Sequence, residues 1–361
     1  MRDVLSSSLK HLRIKNHLSV HLEQQEYMIM SEEEESISTS SSFSSISDGN
    51  GGEGDQENHE YDMDPNDLIP KSLKLSPTEE RNPKSMNLSS MDLIDSIQLF
   101  IDEESAAVKQ LLNHKQDISL LIEDISNCLS HGGRLFYVGA GTSGRLGVMD
   151  ASECYSTFST PIDTVQGIIA GGNIAVYEPY DCAEETFYGG IQAVKERGLT
   201  DRDAVIGISA SGTTPFLWGG LWFAIEKIKC YTGLITFNPH LEFKKNATPK
   251  RVIAINVGPE VLTGSTRLKC GTTTKVLLNM ISTLTLGVKM SRIQGNLMVN
   301  LHPSNSKLKQ RALRILMSLM QKEKNGNDKS KDGIEETQVE TILTKNGYHV
   351  KDALLYLNRF E

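Results

Sequence analysis

The sequence predicts an α/β protein in which a parallel β-sheet is flanked by helices on both faces. Three observations indicate this class: short apolar runs of strand length, helical periodicity between most of them, and glycine- or hydroxyl-rich turns where two of the runs end. The apolar runs are 135–138, 165–170, 204–208, 234–237 and 252–257. The helical segments between them are 144–151, 183–197 and 215–229.

Before the first strand, the sequence predicts a tail and two helices. Residues 1–74 are acidic and serine-rich, and they carry the whole formal net charge of -9. A segment of this composition buries too little apolar area to offset its conformational entropy, so we expect it to be disordered. Order is expected from Leu75, with amphipathic helices near 93–101 and 108–125.

After the last strand, the pattern becomes helical again. Long helices are predicted at 272–290 and 304–320, so we expect the main domain to cover 75–320. A linker rich in Lys, Asn and Gly follows at 321–332. The remaining residues, 333–361, predict a small helical appendage that is too short to hold a core of its own.

Composition excludes several functional classes. Outside the acidic tail the chain is neutral, so nothing indicates nucleic-acid binding. No apolar run approaches the ~20 residues of a membrane helix. The 5 cysteines lack C-x-x-C spacing and the 9 histidines lack metal spacing, so we expect neither a disulfide framework nor a metal or cofactor. The scattered cysteines also favour a reducing compartment, and we expect the protein in the cytoplasm.

The first candidate site is the turn that follows the strand at 135–138. It reads Gly-Ala-Gly-Thr-Ser-Gly over 139–144 and leads into a short predicted helix. A strand, a glycine turn and a helix start aim free N–H groups at an anion, so Gly141, Thr142 and Ser143 are candidate phosphate ligands. Because Glu153 follows the short helix directly, we expect its carboxylate close to the ligand.

Nucleotide binding is the competing interpretation of this turn. Its glycines satisfy G-x-G-x-x-G, but that pattern alone is weak, and the dinucleotide fingerprint also needs an acid at the end of the second strand. The nearby Asp163 precedes the second strand instead. A P-loop is excluded because Arg145 stands where the Lys is required.

A second hydroxyl-rich turn follows the strand at 204–208. Ser209, Ser211 and Thr213 lie in it, and Pro215 begins the next helix, where proline is favoured. Such hydroxyls are equally typical of simple helix caps. In a parallel sheet, however, both turns lie at the same edge, where ligands bind. Together the two turns predict one phosphomonoester site.

Three glutamates are candidates for acid–base chemistry on such a ligand. Carboxylates whose pKa values differ can donate and accept protons without a metal. The candidates are Glu153, Glu184 at the start of a helical segment, and Glu260, which follows the last strand. A surface glutamate is more often a solvated side chain, and Glu153 is the exception because it follows the phosphate turn.

Several long motifs, in order, resemble those of N-acetylmuramic acid 6-phosphate etherases. The segments are TEERNP, GAGTSGRLGVMDASEC, IIAGGNIA, GISASGTTPF, GPEVLTGSTRLKCGTTTKVLLNMIST and GNLMVN. That family is built on the sugar-isomerase (SIS) fold, so the resemblance implies a SIS-type three-layer sandwich. It covers about 75–320, and the C-terminal appendage is similar to the small helical domain of bacterial members.

The resemblance also implies a reaction. The family cleaves the D-lactyl ether of N-acetylmuramic acid 6-phosphate by eliminating lactate and then adding water, which yields N-acetylglucosamine 6-phosphate and D-lactate. By position, Glu153 matches the glutamate that protonates the departing oxygen. Glu184 matches the second catalytic glutamate, most simply the base. Family members are homodimers with the site near the subunit contact.

The binding residues follow from the same alignment of motifs. The resemblance implies that Glu260 binds a sugar hydroxyl. The phosphate ligands that it implies are Thr142, Ser143, Ser209, Ser211 and Thr213.

The chain departs from the family pattern near both turns. Tyr155 and Ser156 replace two prolines after the Glu-Cys pair, and Thr213 replaces an arginine. These changes bear on recognition of the lactyl group more than on phosphate binding. A non-catalytic sugar-phosphate sensor similar to glucokinase regulatory protein is therefore the alternative, and an aldose–ketose isomerase is a third. The glutamate at 153 and the single SIS unit favour the etherase.

Overall fold

The structure, a computed structural model, describes residues 63–244, 247–324 and 336–357. The strands are β1 (Lys71–Ser72), β2 (Leu135–Gly139), β3 (Val165–Ile169), β4 (Ala204–Ser209), β5 (Tyr231–Thr236), β6 (Leu241–Glu242) and β7 (Arg251–Ala254). The helices are α1 (Leu93–Lys109), α2 (Lys115–Ser130), α3 (Gly141–Phe158), α4 (Ile174–Tyr177), α5 (Phe187–Lys195), α6 (Pro215–Trp222), α7 (Lys269–Ser282), α8 (Ser306–Lys324), α9 (Glu336–Lys345) and α10 (Val350–Leu357).

The main sheet places β2 between β3 and β4. Its order is β3–β2–β4–β5–β7, and every adjacent pair is parallel. After β2 the chain forms β3 on one side and then returns to form β4 on the other. This reversal creates a topological switch point at the carboxyl ends of β2 and β4, where open α/β sheets bind ligands. Gly139 is in register with Ile208, so the two turns leave the sheet side by side.

Helices cover both faces of this sheet, which confirms the predicted three-layer α/β class. On one face, α2, α3 and α7 pack against strand residues such as Tyr137 and Ile206. On the other face, α6 packs so closely that a Cβ on Gly207 would lie 2.7 Å from Leu217. All residues of β2, β4 and β5 are buried, as expected when both faces of a parallel sheet are covered. No described helix is both long and apolar enough to cross a membrane.

The ordered unit begins before the predicted boundary at Leu75. β1 pairs antiparallel with β6, with Lys71 opposite Glu242, and the Asn238 side chain donates a hydrogen bond of 2.9 Å to the Ser72 hydroxyl. This attachment uses backbone groups and one polar contact, which hydrophobic patterning does not reveal. Residues 1–62 lie outside the described residues, so disorder of the tail stays a prediction.

The N-terminal helices differ from their prediction in one respect. The helix predicted at 108–125 is interrupted, because a 3₁₀ turn (Gln110–His114) separates α1 from α2. The predicted apolar face of α1 is largely uncovered: Leu93, Ile97 and Ile101 are each more than half exposed. This row of side chains has no counterpart on α2, whose Ile118, Leu121 and Ile125 are buried.

α3 and β5 are among the central elements whose bounds differ from the prediction. The helix predicted at 144–151 spans 18 residues as α3, because its buried face continues through Cys154 to Phe158 at helical spacing. It ends at Phe158, and the next residue, Ser159, has a φ of 49°. The strand predicted at 234–237 begins three residues earlier and ends one residue earlier, as β5. Its first residues include Thr232 and Gly233, which interrupt the apolar signal although they are buried.

The C-terminal part also corrects two boundaries. α8 continues to Lys324 and enters the predicted linker at 321–332. Residues 325–335 lie outside the described residues. α9 and α10 pack against α8 in a second core that includes Leu316, Leu343 and Val350. The predicted appendage of 333–361 therefore obtains its core by sharing one with α8.

Candidate active site

The first half of the site is the N-terminus of α3. Ala140 precedes the helix in an extended conformation and supplies no side-chain cap, so the N–H groups of the first turn stay available. Thr142 and Ser143 are half-buried, and neither hydroxyl hydrogen-bonds to another described residue. Gly141 has a φ of 49°, and a Cβ at this position would meet no atom within 4 Å. The helix start therefore faces open space with several free donors.

Close packing explains the other glycines of this turn. A Cβ on Gly139 would lie 2.9 Å from the carbonyl oxygen of Ile208. A Cβ on Gly144 would lie 2.6 Å from Cγ1 of Ile169 and 2.8 Å from the carbonyl oxygen of Gly139. These contacts seat α3 directly on the end of the sheet. The G-x-G-x-x-G pattern is thus explained by the turn and by helix–sheet packing.

The second half of the site is the turn after β4, which its own side chains hold. The Ser209 hydroxyl accepts a hydrogen bond of 3.0 Å from the Gly212 N–H and lies 2.9 Å from the Thr214 hydroxyl. The Ser211 hydroxyl accepts hydrogen bonds from both the N–H and the hydroxyl of Thr213, at 3.2 and 3.1 Å. Ser209 is 4% exposed, so it shapes the turn, whereas Ser211 and Thr213 reach its surface.

Deeper contacts fix this turn against the neighbouring strand. Trp218 donates an indole hydrogen bond of 2.8 Å to the Gly212 carbonyl, and Asn238 donates one of 3.1 Å to the Ser211 carbonyl. Gly212 has a φ of 74°, in the left-handed region that favours glycine. The donors of the turn are therefore preorganised before any ligand binds.

We call residues 141–143 and 211–213 the cradle. Its two halves follow adjacent strands, which lie about 4.8 Å apart in a sheet. The first turn of α7 approaches as well, since a Cβ on Gly271 would lie 3.6 Å from Cγ2 of Thr142. The structure thus brings Gly141, Thr142, Ser143, Ser211 and Thr213 to one edge of the sheet.

Glu184 lies in the segment between α4 and α5. It belongs to a 3₁₀ turn (Asp181–Glu185) that packs against α6, the helix that follows the second half of the cradle. Arg145 supports the preceding segment by donating hydrogen bonds of 3.2 and 2.9 Å to the carbonyls of Val176 and Glu178. Burial raises the pKa of Glu184, and the nearby charges of Glu185 and Asp181 raise it further. A carboxylate with a raised pKa is a stronger base than a solvated one.

Glu260 has a different structural role from the predicted one. Its side chain is fully buried, and its two carboxylate oxygens accept hydrogen bonds from the N–H groups of Lys269 and Cys270, at 2.9 and 3.1 Å. Glu260 therefore caps α7, and a cap at a helix N-terminus is favoured by the helix dipole. It has no exposed oxygen for a sugar hydroxyl, so the predicted contact is wrong for this conformation.

Glu153 lies far from the cradle of its own chain. It follows Gly141 by twelve residues of one continuous helix, which corresponds to about 18 Å along the axis. The expectation of a nearby carboxylate rested on a short helix and is wrong within one chain. Glu153 is exposed and hydrogen-bonds to no described residue.

Sequence reasoning missed a buried ion cluster beside the cradle. Glu103 accepts hydrogen bonds from Lys269 at 2.9 Å, from Asn82 at 2.8 Å and from Lys84 at 2.8 Å. The cluster joins α1 to the start of α7 and to the N-terminal segment that contains TEERNP. No spacing rule predicts it, because Glu103 and Lys269, which are hydrogen-bonded to each other, are 166 positions apart in the chain.

Sequence reasoning also missed a contact between two side chains near Glu153. The Tyr155 hydroxyl lies 2.8 Å from Nε2 of His302, and their rings are 4.4 Å apart. One feature of the sequence could have indicated this contact, because Tyr155 departs from the pattern of the family.

The fold and the site define a class of protein: a SIS-type α/β domain with two donor-rich turns at a switch point. The family model for the glucokinase regulatory protein N-terminal SIS domain matches residues 117–225. The chain is 41% identical to the N-acetylmuramic acid 6-phosphate etherase of Picosynechococcus sp. over 77% of this chain and 87% of that protein. It is 43% identical to the same enzyme of Staphylococcus epidermidis over 67% and 81%. The chain belongs to the N-acetylmuramic acid 6-phosphate etherase family.

A solved phosphoheptose isomerase from Francisella tularensis has a TM-score of 0.39 at 16% identity, and the match covers 55% of this chain and 100% of that one.

Proposed function

We propose that the protein cleaves the D-lactyl ether of N-acetylmuramic acid 6-phosphate, yielding N-acetylglucosamine 6-phosphate and D-lactate. The observation that carries the proposal is the family membership, with 41% identity over 87% of a curated etherase, in a chain that keeps Glu153 and Glu184. The cradle supplies what the substrate's phosphate needs, namely free N–H groups at a helix start and hydroxyls from a second, rigid turn.

Phosphate binding orients the substrate. The α3 N–H groups and the hydroxyls of Thr142 and Ser143 are donors on one side, and Ser211 and Thr213 are donors on the other. A phosphate dianion at the helix N-terminus is further stabilised by the helix dipole. The other end of the opened sugar then extends away from the sheet edge, on the side where the segment with Glu184 lies.

The chemistry requires one base and one acid. Glu184 removes the proton next to the carbonyl of the opened sugar, and the electron pair of that C–H bond forms a C2–C3 double bond. The C3–O bond breaks as Glu153 transfers its proton to the departing lactate oxygen. Water then adds across the double bond, with hydroxyl at C3 and hydrogen at C2. The raised pKa of Glu184 suits it to the first step, because a base works best with a pKa near the working pH.

The direct test is D-lactate release. Purified full-length protein is incubated with N-acetylmuramic acid 6-phosphate, and free D-lactate is measured with a D-lactate dehydrogenase. N-acetylglucosamine 6-phosphate serves as the matched substrate without an ether. We expect D-lactate only from the first compound. No D-lactate at any protein concentration would refute the etherase assignment.

A second function has one observation in its favour. The match of residues 117–225 to the regulatory-protein SIS domain fits a sugar-phosphate sensor that controls a partner kinase. In that case the protein binds fructose phosphates without converting them. It also retains a hexokinase-type partner in a pull-down, and fructose phosphates either promote or abolish that interaction. The lactate assay separates the two functions, because only the enzyme consumes the ether.

We place the reaction in the cytoplasm. The five cysteines are all free thiols in the structure, and Cys182 is exposed. Exposed free thiols fit a reducing compartment.

A further inference from the structure

The donors of the cradle are all uncharged. They are the N–H groups of the first turn of α3 and the hydroxyls of Thr142, Ser143, Ser211 and Thr213. A phosphomonoester carries a charge of about −1.5 to −2 near neutral pH. A helix N-terminus offers the equivalent of about +0.5. The cradle alone therefore leaves most of the charge of the phosphate without a counter-charge.

The buried groups at the start of α7 supply no such counter-charge. Glu103 is shared by the ammonium groups of Lys84 and Lys269, at 2.8 and 2.9 Å. Glu260 is fully buried, and within the described part of the chain its carboxylate is paired with the backbone N–H groups of Lys269 and Cys270. Two lysines and two glutamates thus cancel one another beside the cradle.

One cation near the cradle is not held by the protein itself. Arg145 on α3 donates hydrogen bonds to two backbone carbonyls of the segment 176–178, and Lys275 on α7 lies 3.6 Å from Asp150. Arg267, two residues before α7, is exposed, and its guanidinium makes no hydrogen bond or ion pair with any residue that the structure describes. Its five N–H groups are therefore available to a ligand.

Arg267 lies within reach of the cradle. A Cβ on Gly271 would lie 3.6 Å from Cγ2 of Thr142 and 3.6 Å from the carbonyl oxygen of Thr266. Thr142 and the peptide group that precedes Arg267 therefore contact the same point of α7 from two sides. An extended arginine side chain spans about 7 Å from Cα to its terminal nitrogens, so the guanidinium reaches a phosphate bound at Thr142.

Backbone hydrogen bonds fix the base of this side chain. The Thr266 carbonyl accepts the Gly271 N–H at 3.0 Å, and the Ser265 carbonyl accepts the Leu268 N–H at 3.1 Å. The turn around Arg267 is thus attached to the first turn of α7. Ligand binding then has to order one side chain and no backbone, which keeps its entropic cost small.

We propose that Arg267 is the cationic ligand of the phosphate, and that it makes the site select a dianionic phosphate ester over a monoanionic ester of the same sugar. The guanidinium donates two N–H groups to two phosphate oxygens, a geometry that arginine favours. This inference rests on the proposed function, because it takes the cradle as the site of the substrate's phosphate. It does not depend on which subunit supplies Glu153 in the homodimer that the family resemblance implies.

Calorimetric titration of the full-length protein tests the proposal. The probes are N-acetylglucosamine 6-phosphate and N-acetylglucosamine 6-sulfate, which is a monoanion. Arg267→Gln should raise Kd for the phosphate ester ~10- to 100-fold, the scale of a hydrogen bond to a charged group. It should raise Kd for the sulfate ester by a smaller factor, because the lost attraction scales with the charge of the ligand. Arg314→Gln, at an exposed arginine of α8, is the matched control and should change neither Kd.

The outcomes decide whether Arg267 binds the phosphate. Arg267→Gln should keep the wild-type melting temperature, because the described residues give Arg267 no partner to lose. An unchanged Kd for the phosphate ester overturns the proposal, as does an equal loss for both esters. A wild type that binds neither ester overturns it too. If the wild type binds the phosphate ester but releases no D-lactate from the ether, the etherase function has failed, and the comparison of Kd values still decides the inference.

Chemical modification of the wild type gives a readout that does not depend on a variant. Phenylglyoxal reacts with accessible guanidinium groups, and mass spectrometry locates the products. N-acetylglucosamine 6-phosphate should slow the modification of Arg267 and leave that of Arg314 unchanged, whereas N-acetylglucosamine should protect neither. Modification of Arg267 at the same rate with and without the phosphate ester overturns the proposal.

Discussion

Replacing Glu103 by Gln should lower the free energy of unfolding by about 3 kcal/mol at neutral pH. Glu103 is 5% exposed, and its carboxylate accepts hydrogen bonds from Lys269, Asn82 and Lys84. Lys269 is equally buried, with 3% exposure, and its remaining partner is the Pro259 carbonyl at 2.9 Å. The substitution preserves the shape of the side chain and removes the charge that compensates Lys269.

The magnitude follows from the pKa of Glu103. Burial alone would raise it, but the hydrogen bonds from Lys84, Lys269 and Asn82 and the charge of Lys269 lower it from 4.5 to about 2. At 1.36 kcal/mol for each pKa unit, this difference corresponds to about 3 kcal/mol. Removing one partner of a buried ion pair costs ~3–5 kcal/mol in other proteins, which agrees.

The assay is urea unfolding of both proteins across pH. Because the folded pKa is below the unfolded value, the stabilisation is fully present above pH 4.5 and is lost as the pH falls toward 2. The difference between wild type and variant should therefore be constant near neutrality and shrink below pH 4.5.

Two controls accompany this measurement. Lys84→Met removes the exposed partner, which is 67% exposed, and leaves the buried Lys269 paired, so it should lower stability by less than Glu103→Gln does. Replacing Glu103 and Lys269 together by Met should recover most of the loss, because no buried charge is left unpaired. A loss of less than about 1 kcal/mol for Glu103→Gln would refute the reasoning, since that is the range of an exposed pair.

Four further predictions concern the site. Glu153→Gln should retain sugar-phosphate binding and lower kcat ~10²-fold or more, the scale of a general acid, and normal turnover would remove Glu153 from the mechanism. Glu185→Gln removes a charge that raises the pKa of Glu184, so the acid limb of the rate profile should move to lower pH; an unchanged limb would show that Glu184 is not the titrating base. Ser211→Ala should raise KM for the phosphorylated substrate more than it lowers kcat, and equal effects on both would contradict a binding role. Gly144→Val should unfold the cradle or lower the melting temperature, because its Cβ would lie 2.6 Å from Ile169, and a native melting curve would contradict the packing.

Patterning alone predicted the α/β class and most of the sheet. The runs that became β2, β3 and β4 are short and apolar because parallel strands are buried on both faces. Patterning failed where a buried element is not apolar, as at Thr232 and Gly233 of β5, and where an apolar face is not buried, as on α1. Burial depends on what packs against an element, and a single sequence does not contain that information.

The candidate site also contains features that the sequence predicted and features that it did not. Hydroxyls after two strands predicted the cradle, because parallel strands place their carboxyl ends at one edge. The buried cluster of Glu103, Lys269 and Asn82 was not predictable, because it forms only when α1, α7 and the N-terminal segment pack together. Glu260 could be singled out as unusual, yet whether it faced a ligand or a helix start depended on the position of α7.

By itself, the sequence determined the kind of strand and turn that forms at each place, since local periodicity and turn chemistry act over a few residues. It predicted side chains for binding a phosphate and for moving a proton. Only the tertiary structure decided which of them share a site, because that depends on distances through space. The length of α3 is the clearest case: seven more residues than predicted at its C-terminal end keep it helical past Glu153 and place that carboxyl beyond the reach of its own cradle.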